Sequence, residues 1–170
     1  LKPSEEIVSS ILSKKKLTPD LITQIDLGYY PAEQYIRKAF ENNDADISEA
    51  ERMGYLASYK EGKPTNNAGL MKGRVIGYWP QPNGELAYWG YSPSLTPRYL
   101  FSSGISKVMP YKFKPRPTAM ITEGTFDADS CILAGIPCSA IGQAGLGANQ
   151  AEFMVNAGVT KVVHMVDADT

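Results

Sequence analysis

Three carboxylates follow two apolar segments in the last third of the chain. Glu123 ends the run that begins at Ala119, and Asp167 and Asp169 end the run that begins at Val162. Asp167 and Asp169 are two residues apart, so both side chains would point to the same face of a continuing strand. Two like charges about 4 Å apart repel by roughly 4 kcal/mol at an effective dielectric constant near 20. Such a pair is therefore tolerated only with solvent around it, with one acid protonated, or with a cation between the two.

A lone Asp-x-Asp can simply begin a solvated loop, but Glu-Gly at the end of another strand makes the pattern much more specific. Three converging carboxylates provide oxygen ligands with room for water, which suits Mg²⁺ or Mn²⁺. These ions typically act on phosphate groups. The sequence therefore predicts a divalent-metal site formed by Glu123, Asp167 and Asp169.

The segments between these acids indicate a parallel α/β unit. Apolar runs over 119–124, 137–143 and 162–169 alternate with helical patterns over 127–134 and 149–157. A strand–helix–strand–helix–strand order is typical of a parallel sheet with crossover helices. Ligands bind such sheets at the carboxyl ends of the strands, and both groups of acids fall at that end.

Glycines 142, 145 and 147 form a Gly-x-x-Gly-x-Gly pattern between the second of these strands and the helix that follows. The pattern is a weak signal for phosphate binding. A sharp turn from strand to helix explains the glycines as well, and we favour that interpretation.

The composition is that of an ordinary globular protein. The 170 residues have a net charge of −1, which neither favours nor excludes a nucleic-acid partner, and they suffice for one domain or two small ones. With no run of 18 apolar residues and no signal-peptide pattern, we expect a cytoplasmic protein without a membrane segment. Cys131 and Cys138 lack the spacing of a zinc site, so we expect buried thiols. His164 alternates within an apolar strand, so we expect it to lie in the core.

The first 100 residues combine helices with a β-hairpin. Helical patterns and capping signals predict four helices, at 4–13, 18–28, 31–40 and 47–53. The polar, breaker-rich residues 61–69 indicate a mobile loop. Asn83-Gly84 lies between the aromatic-rich runs 74–79 and 85–90 and is a strong hairpin signal. The hairpin aromatics could stack on bases, but cross-strand aromatic pairs more often stabilise the sheet.

Residues 98–116 form a locally basic stretch without any acid. Aromatic residues are interleaved with its five cations, Arg98, Lys107, Lys112, Lys114 and Arg116. Such a stretch would suit a phosphate backbone. An ordinary solvated linker that carries a few lysines explains it equally well.

Two segments of the chain resemble the Toprim domain that bacterial primases, topoisomerases and some nucleases share. These are 121–127, which reads Ile-Thr-Glu-Gly-Thr-Phe-Asp, and 166–169, which reads Val-Asp-Ala-Asp. The resemblance implies that Glu123, Asp167 and Asp169 gather the divalent metals for phosphoryl transfer. It also implies that Asp127, which closes the Glu-Gly-x-x-Asp form found in primases, takes part in the metal site.

The upstream chain resembles the catalytic core of bacterial replicative primases of the DnaG type. Residues 11–31 contain a Leu-Thr-Pro turn followed by Gly-Tyr-Tyr-Pro, and residues 96–102 read Thr-Pro-Arg-Tyr-Leu-Phe-Ser. The resemblance implies that Arg98 takes the place of a basic residue that faces the template or the nucleotide. Lys107 and Arg74 are the further nucleic-acid-binding residues that we expect. Phe101 replaces an asparagine of the family, and Trp-Gly-Tyr at 89–91 replaces Gly-Gly-Arg.

The resemblance implies a mixed α/β primase-core subdomain over 1–113 and an incomplete, Rossmann-like Toprim domain over 114–170. The function that it implies is a DNA primase that joins ribonucleoside triphosphates on a single-stranded DNA template with Mg²⁺ or Mn²⁺. A Toprim nuclease, a topoisomerase-like phosphotransferase and an inactive nucleic-acid-binding fragment are the alternatives. Because further Toprim acids, a zinc element and a helicase-binding tail are missing, we expect a truncated primase, such as one from a phage or mobile element. A replicative helicase would then bind through the missing regions.

Overall fold

The computed structural model describes residue 10, residues 24–25 and residues 27–166. The helices predicted over 4–13 and 18–28 lie almost entirely outside these residues, as do Asp167 and Asp169. Two compact units divide the described chain: one contains 10, 27–78 and 87–105, and the other contains 24–25, 79–86 and 106–166. The boundary that we placed between 113 and 114 remains a prediction.

The described chain contains four α-helices and nine β-strands. The helices are α1 (Glu33–Glu41), α2 (Ile47–Arg52), α3 (Thr125–Leu133) and α4 (Ala148–Asn156). The strands are β1 (Leu27–Tyr30), β2 (Tyr59–Lys60), β3 (Lys63–Pro64), β4 (Arg74–Pro80), β5 (Leu86–Tyr91), β6 (Tyr99–Phe101), β7 (Thr118–Thr122), β8 (Cys138–Ala140) and β9 (Lys161–Met165). None of the described helices is long and apolar enough to cross a membrane.

Helices α1 and α2 confirm two of the helices that the sequence predicts. Asp46 caps α2 by accepting a hydrogen bond from the Glu49 amide at 3.1 Å, as expected of an aspartate at this position. Arg37 of α1 pairs with Glu33 at 3.3 Å and with Glu51 of α2 at 2.8 Å, so one guanidinium joins the two helices.

A four-stranded sheet with the order β1-β4-β5-β6 forms the centre of the first unit. The predicted hairpin is confirmed as β4 and β5, and the Gln81 amide donates to the Glu85 carbonyl across its turn at 2.9 Å. The helix predicted to run to residue 28 is wrong at its end, because Leu27–Tyr30 form β1, which pairs antiparallel with β4. The apolar and aromatic residues of this segment gain ladder hydrogen bonds there.

The loop predicted over 61–69 is confirmed in part, and its mobility remains a prediction. Residues 61–62 and 65–67 form turns and bends, but Lys63–Pro64 pair with β2 as β3, and a 3₁₀-helix begins at Ala68. The Asn66 side chain donates to two backbone carbonyls, those of Glu51 and Leu56, at 3.1 and 2.9 Å. Asparagine side chains therefore tie down a segment whose composition is typical of a loop.

The hairpin aromatics pack in the protein, which confirms the favoured interpretation. Trp79 and Trp89 have no exposed surface, and Tyr88 and Tyr91 are buried. Tyr78 alternates to the other face of β4 and is 49% exposed, as the two-residue period of a strand requires.

A parallel three-stranded sheet with the order β8-β7-β9 forms the centre of the second unit. Helices α3 and α4 connect β7 to β8 and β8 to β9, so the predicted strand–helix–strand–helix–strand order is confirmed. An apolar cluster, which contains Ile121, Ile141 and Met154, packs in this unit.

Strand β9 differs from the buried strand that the sequence predicts. It lies at the edge of its sheet, and Val162 and Val163 are 38% and 36% exposed. His164 is therefore half-buried, with 27% of its side chain exposed, and does not lie in the core. An edge strand has a neighbour on one side only, which the alternation of apolar residues alone does not reveal.

Asp129 on α3 is a buried carboxylate of the second unit. Its side chain has no exposed surface; it accepts a hydrogen bond from the Lys112 ammonium at 2.7 Å and from the Tyr111 hydroxyl at 3.4 Å. Burial raises the pKa of Asp129, and its two donors offset the rise only in part.

We expect Asp129 to stabilise the folded protein more at low pH, where its carboxyl group is protonated, than at high pH. Because the pKa of Asp129 is higher in the folded than in the unfolded chain, its contribution is full below the unfolded value and is lost as pH rises through the folded one. The free energy of unfolding of the wild type, relative to Asp129→Asn, should therefore fall as the pH rises above about 4, the ordinary pKa of an aspartate. Urea unfolding at each pH measures this difference, and a rise with pH would contradict the burial argument.

Candidate functional site

The carboxyl edge of the parallel sheet places Glu123 directly after β7. Thr122 pairs with Met165 in parallel register, so β7 and β9 end at the same level. Since β8 and β9 lie on opposite sides of β7, the strand order reverses between β7 and β9. Such a switch point is where ligands bind in open α/β sheets.

The backbone at Glu123 is held by the chain that leaves β8. The Gly142 amide donates to the Glu123 carbonyl at 2.9 Å, and the Ile141 amide donates to the Thr122 carbonyl at 2.9 Å. Gly142 has φ +69°, and a Cβ there would lie 2.6 Å from the Trp79 ring. The first glycine of the glycine-rich turn is therefore required by backbone conformation and by packing, which supports the sharp-turn interpretation.

Lys107 supports this same turn from the other side. Its ammonium donates to the Gly142 carbonyl at 2.6 Å, and burial lowers the pKa of Lys107. Lys107, which we predicted to contact nucleic acid, is therefore half-buried. It supports the backbone of Glu123 indirectly, through Gly142.

His164 lies beside Glu123, a position that we did not predict for it. Its Nε2 lies 4.0 Å from Oε1 of Glu123, and this nitrogen is buried without a hydrogen-bond partner among the described residues. The signal that could have found it is the parallel register, in which His164 pairs with Ile121, two residues before Glu123. Residues two apart on one strand and their direct neighbours on the next share a face.

Asp127 lies in the first turn of α3, where a carboxylate interacts favourably with the helix dipole. Gly124 is the N-cap of this helix, and a Cβ at Gly124 would collide with a carboxylate oxygen of Asp127. The Asp127 side chain therefore lies over the backbone of Gly124, and a side chain at position 124 would displace its carboxylate.

Glu123 and Asp127 are the two predicted metal ligands that the structure describes, and Asp167 and Asp169 lie outside its described residues. Among the residues that are described, no three His, Cys, Asp or Glu side chains group together as a metal site would require. The shared metal site of the four acids remains a prediction. The chemistry of the donors fits Mg²⁺ or Mn²⁺, because the two predicted ligands that the structure describes are carboxylates at one sheet edge.

The two predicted nucleic-acid contacts in the first unit differ in exposure. The Arg98 side chain is exposed, and its guanidinium has no hydrogen-bond or ion-pair partner among the described residues. Arg74 is buried, and its guanidinium donates to the carbonyls of Leu70 at 3.1 Å and Arg98 at 2.9 Å. Arg74 therefore fixes the backbone that carries Arg98. Both cysteines are free thiols, with Cys138 buried and Cys131 half-buried.

Solved primase structures share this fold. The zinc-binding and RNA polymerase domains of the Aquifex aeolicus primase match with a TM-score of 0.72 and 23% identity, over 96% of this chain and 43% of that one. The RNA polymerase domain of Mycobacterium tuberculosis primase DnaG matches with a TM-score of 0.76 and 14% identity, over 98% of this chain and 61% of that one. A DnaG primase catalytic domain bound to single-stranded DNA matches with a TM-score of 0.67 and 15% identity, over 96% of this chain and 56% of that one.

No protein-family model and no curated protein matches the chain. The chain spans between 43% and 61% of the length of the three solved chains. At these identities the match shows the fold, and it confirms the architecture that the resemblance implied: a mixed α/β core followed by a Toprim-like parallel sheet. The chain therefore has the fold of part of the catalytic core of DnaG-type primases.

Proposed function

We propose that this chain carries the catalytic core of a DNA primase, which joins ribonucleotides on a single-stranded DNA template with Mg²⁺ or Mn²⁺. The observation that carries the proposal is the parallel register of β7 with β9. It directs Glu123 and the chain that leads to Asp167 toward one sheet edge, at the switch point where ligands bind.

In this proposal the acids have distinct tasks. Asp167 and Asp169 hold the divalent ions together with Glu123, and Asp127 completes the site from the start of α3. Bound ions would lower the pKa of an attacking 3′-hydroxyl and offset the charge of a triphosphate. The hydrogen bond from Gly142 fixes the Glu123 backbone, and Lys107 fixes Gly142 in turn. This preorganisation keeps the carboxylate in place during nucleotide transfer.

Arg98 is the residue that we assign to the template. It is exposed, and its backbone carbonyl accepts hydrogen bonds from Arg74 at 2.9 Å and from the Ser92 amide at 3.0 Å. A fixed backbone beneath a free guanidinium suits the planar, bidentate recognition of a phosphate. One structural neighbour, a DnaG catalytic domain, is bound to single-stranded DNA, which supports the same class of partner here.

The reaction is tested by incubating the chain with single-stranded DNA, ribonucleoside triphosphates and Mn²⁺. Short RNA products that disappear in Asp167→Asn are expected. Cleavage of the DNA without synthesis would contradict the proposal and favour a Toprim nuclease. DNA binding without either reaction, unaffected by Asp167→Asn or by removal of metal, would favour a nucleic-acid-binding module.

Arg98→Gln should weaken binding of single-stranded DNA uniformly across sequences and reduce the slope of log K against log salt by about 0.7. Lys72→Gln is the matched control, since Lys72 is an exposed cation of the same unit without a hydrogen-bond or ion-pair partner among the described residues. Fluorescence anisotropy at several salt concentrations measures both slopes. Equal slopes for the wild type and Arg98→Gln would show that Arg98 does not bind the template.

Gly124→Ala should lower the affinity for Mn²⁺ while it changes the free energy of unfolding by less than about 1 kcal/mol. The added methyl group displaces the carboxylate of Asp127, whereas the backbone at φ −94° accepts alanine. Isothermal titration with Mn²⁺ and urea unfolding give the two numbers. Unchanged Mn²⁺ affinity would show that Asp127 takes no part in the site.

A further inference from the structure

Residues 111–117 form a strap that runs from the carboxyl end of β8 to the amino ends of β7 and β9 in the second unit. At one end of the strap, Tyr111 and Ala140 exchange two backbone hydrogen bonds of 2.8 and 3.2 Å. At the other end, the Pro117 carbonyl accepts from the amides of Thr160 and Lys161 at 2.8 and 3.0 Å. The backbone of the strap is therefore held to the sheet at both ends.

A cavity of about 530 Å³ lies between this strap and the amino-terminal ends of β7 and β8. Its apolar lining includes Phe113, Met120, Ile132 and Pro137. The volume falls within the roughly 300–1,000 Å³ of small-molecule sites in proteins. The cavity is thus large enough for a ligand with an apolar ring.

The polar part of the cavity is cationic. Lys112, Lys114 and Arg116 line it, and no carboxylate is among its lining residues. Asp129 neutralises Lys112 at 2.7 Å. Lys114 is exposed and Arg116 is half-buried, and neither has a hydrogen-bond or ion-pair partner within the described part of the chain. Two uncompensated cations therefore stand beside an apolar lining.

We propose that this strap cavity binds a nucleoside phosphate. The base would pack on Met120 and Ile132, because every base has an apolar π-face, and the phosphates would bind Lys114 and Arg116. A bare anion would leave the apolar lining unused. The nucleoside phosphate is either a free nucleotide or one nucleotide of a single strand, and both present the same chemistry.

The strap cavity is separate from the carboxylate edge and goes beyond the proposed reaction, because it contains no metal ligand. It lies at the opposite end of the same strands. Met120, which lines it, is three residues before Glu123 on β7, or about 10 Å along a strand. Binding there should therefore persist when metal is removed.

The test measures binding of ADP, and separately of a fluorescent single-stranded oligonucleotide, to the chain in EDTA. The double variant Lys114→Gln/Arg116→Gln removes both cations. Ile132→Glu adds a negative charge to the lining at a residue that is already 36% exposed. Lys161→Gln is the matched control, an exposed cation of the same unit. Thermal unfolding of each variant verifies that it folds.

We expect both cavity variants to weaken binding by at least about tenfold, while Lys161→Gln leaves it unchanged. If ADP binds in this pattern, a free nucleotide is the source; if only the oligonucleotide does, the source is a single strand. The proposal is overturned if neither ligand binds or if Lys161→Gln weakens binding equally. It is also overturned if inorganic phosphate competes as well as ADP, because the apolar lining would then have no role.

Discussion

Glu123→Gln should abolish RNA synthesis and lower the affinity for Mn²⁺ by at least about 100-fold, the upper range for loss of a residue that merely supports a ligand. The amide keeps the shape of the side chain but removes the charge that a divalent ion requires. The affinity is measured by titration with Mn²⁺, and synthesis by ribonucleotide incorporation on single-stranded DNA. Because 26% of the Glu123 side chain is exposed and it accepts no hydrogen bond from a described residue, the free energy of unfolding should change by less than about 0.5 kcal/mol.

Glu152→Gln is the control for this prediction. Glu152 is an exposed glutamate on α4 in the same unit, with no hydrogen-bond or ion-pair partner among the described residues. Loss of its charge should leave both the Mn²⁺ affinity and the RNA synthesis unchanged. Equal effects of the two variants would mean that the ion senses only the overall charge of the unit, and would remove Glu123 from the site.

Trp79→Ala should cost about 3–5 kcal/mol of stability. The Trp79 ring is fully buried, packs against Tyr111 at a centroid distance of 5.7 Å and donates its indole N–H to the Met109 carbonyl at 2.9 Å. The ring also lies against Gly142, whose amide holds the Glu123 backbone. The variant should therefore also bind Mn²⁺ more weakly under conditions in which it remains folded. Urea unfolding gives the first effect and Mn²⁺ titration the second.

Tyr78→Ala serves as the comparison, because Tyr78 is the preceding residue on β4 and is 49% exposed. We expect a loss of about 1 kcal/mol or less and no change in Mn²⁺ affinity. Similar losses of stability for the two variants would contradict the packing described for Trp79.

The parallel sheet and the hairpin were predictable because both have strong local signals. Asn83-Gly84 between aromatic runs predicts a hairpin from turn chemistry alone. Glu123 and Asp167 each follow an apolar run that is typical of a strand. Helical patterns lie between these runs, and strands that alternate with helices most simply form a parallel sheet. The solved primase folds confirm this architecture.

Features that depend on long-range partners could not be predicted in the same way. Arginine is a residue type that often binds phosphate, yet Arg74 is buried. Two backbone carbonyls accept its hydrogen bonds, which makes this burial possible. His164 was expected in the core, yet β9 lies at the sheet edge. Residues 61–69 have the composition of a loop, yet Asn66 and Asn67 hold them through carbonyls 10 to 34 residues away.

The prediction that Asp167 and Asp169 share one face assumed a strand that continues through both residues. Strand β9 ends at Met165, so the two-residue period no longer fixes the face of either acid. The proposal that these acids lie near Glu123 therefore rests on the register of β7 with β9, and not on alternation.

The most direct test is a crystal structure of the chain with Mn²⁺, measured for anomalous scattering. We predict a manganese peak at the carboxyl edge of the parallel sheet, about 2.0–2.3 Å from a carboxylate oxygen of Glu123 and from one of Asp167 or Asp169. A peak held by the two aspartates with Glu123 turned away, or no peak at saturating Mn²⁺, would contradict the proposed metal site and the nucleotidyl transfer that depends on it.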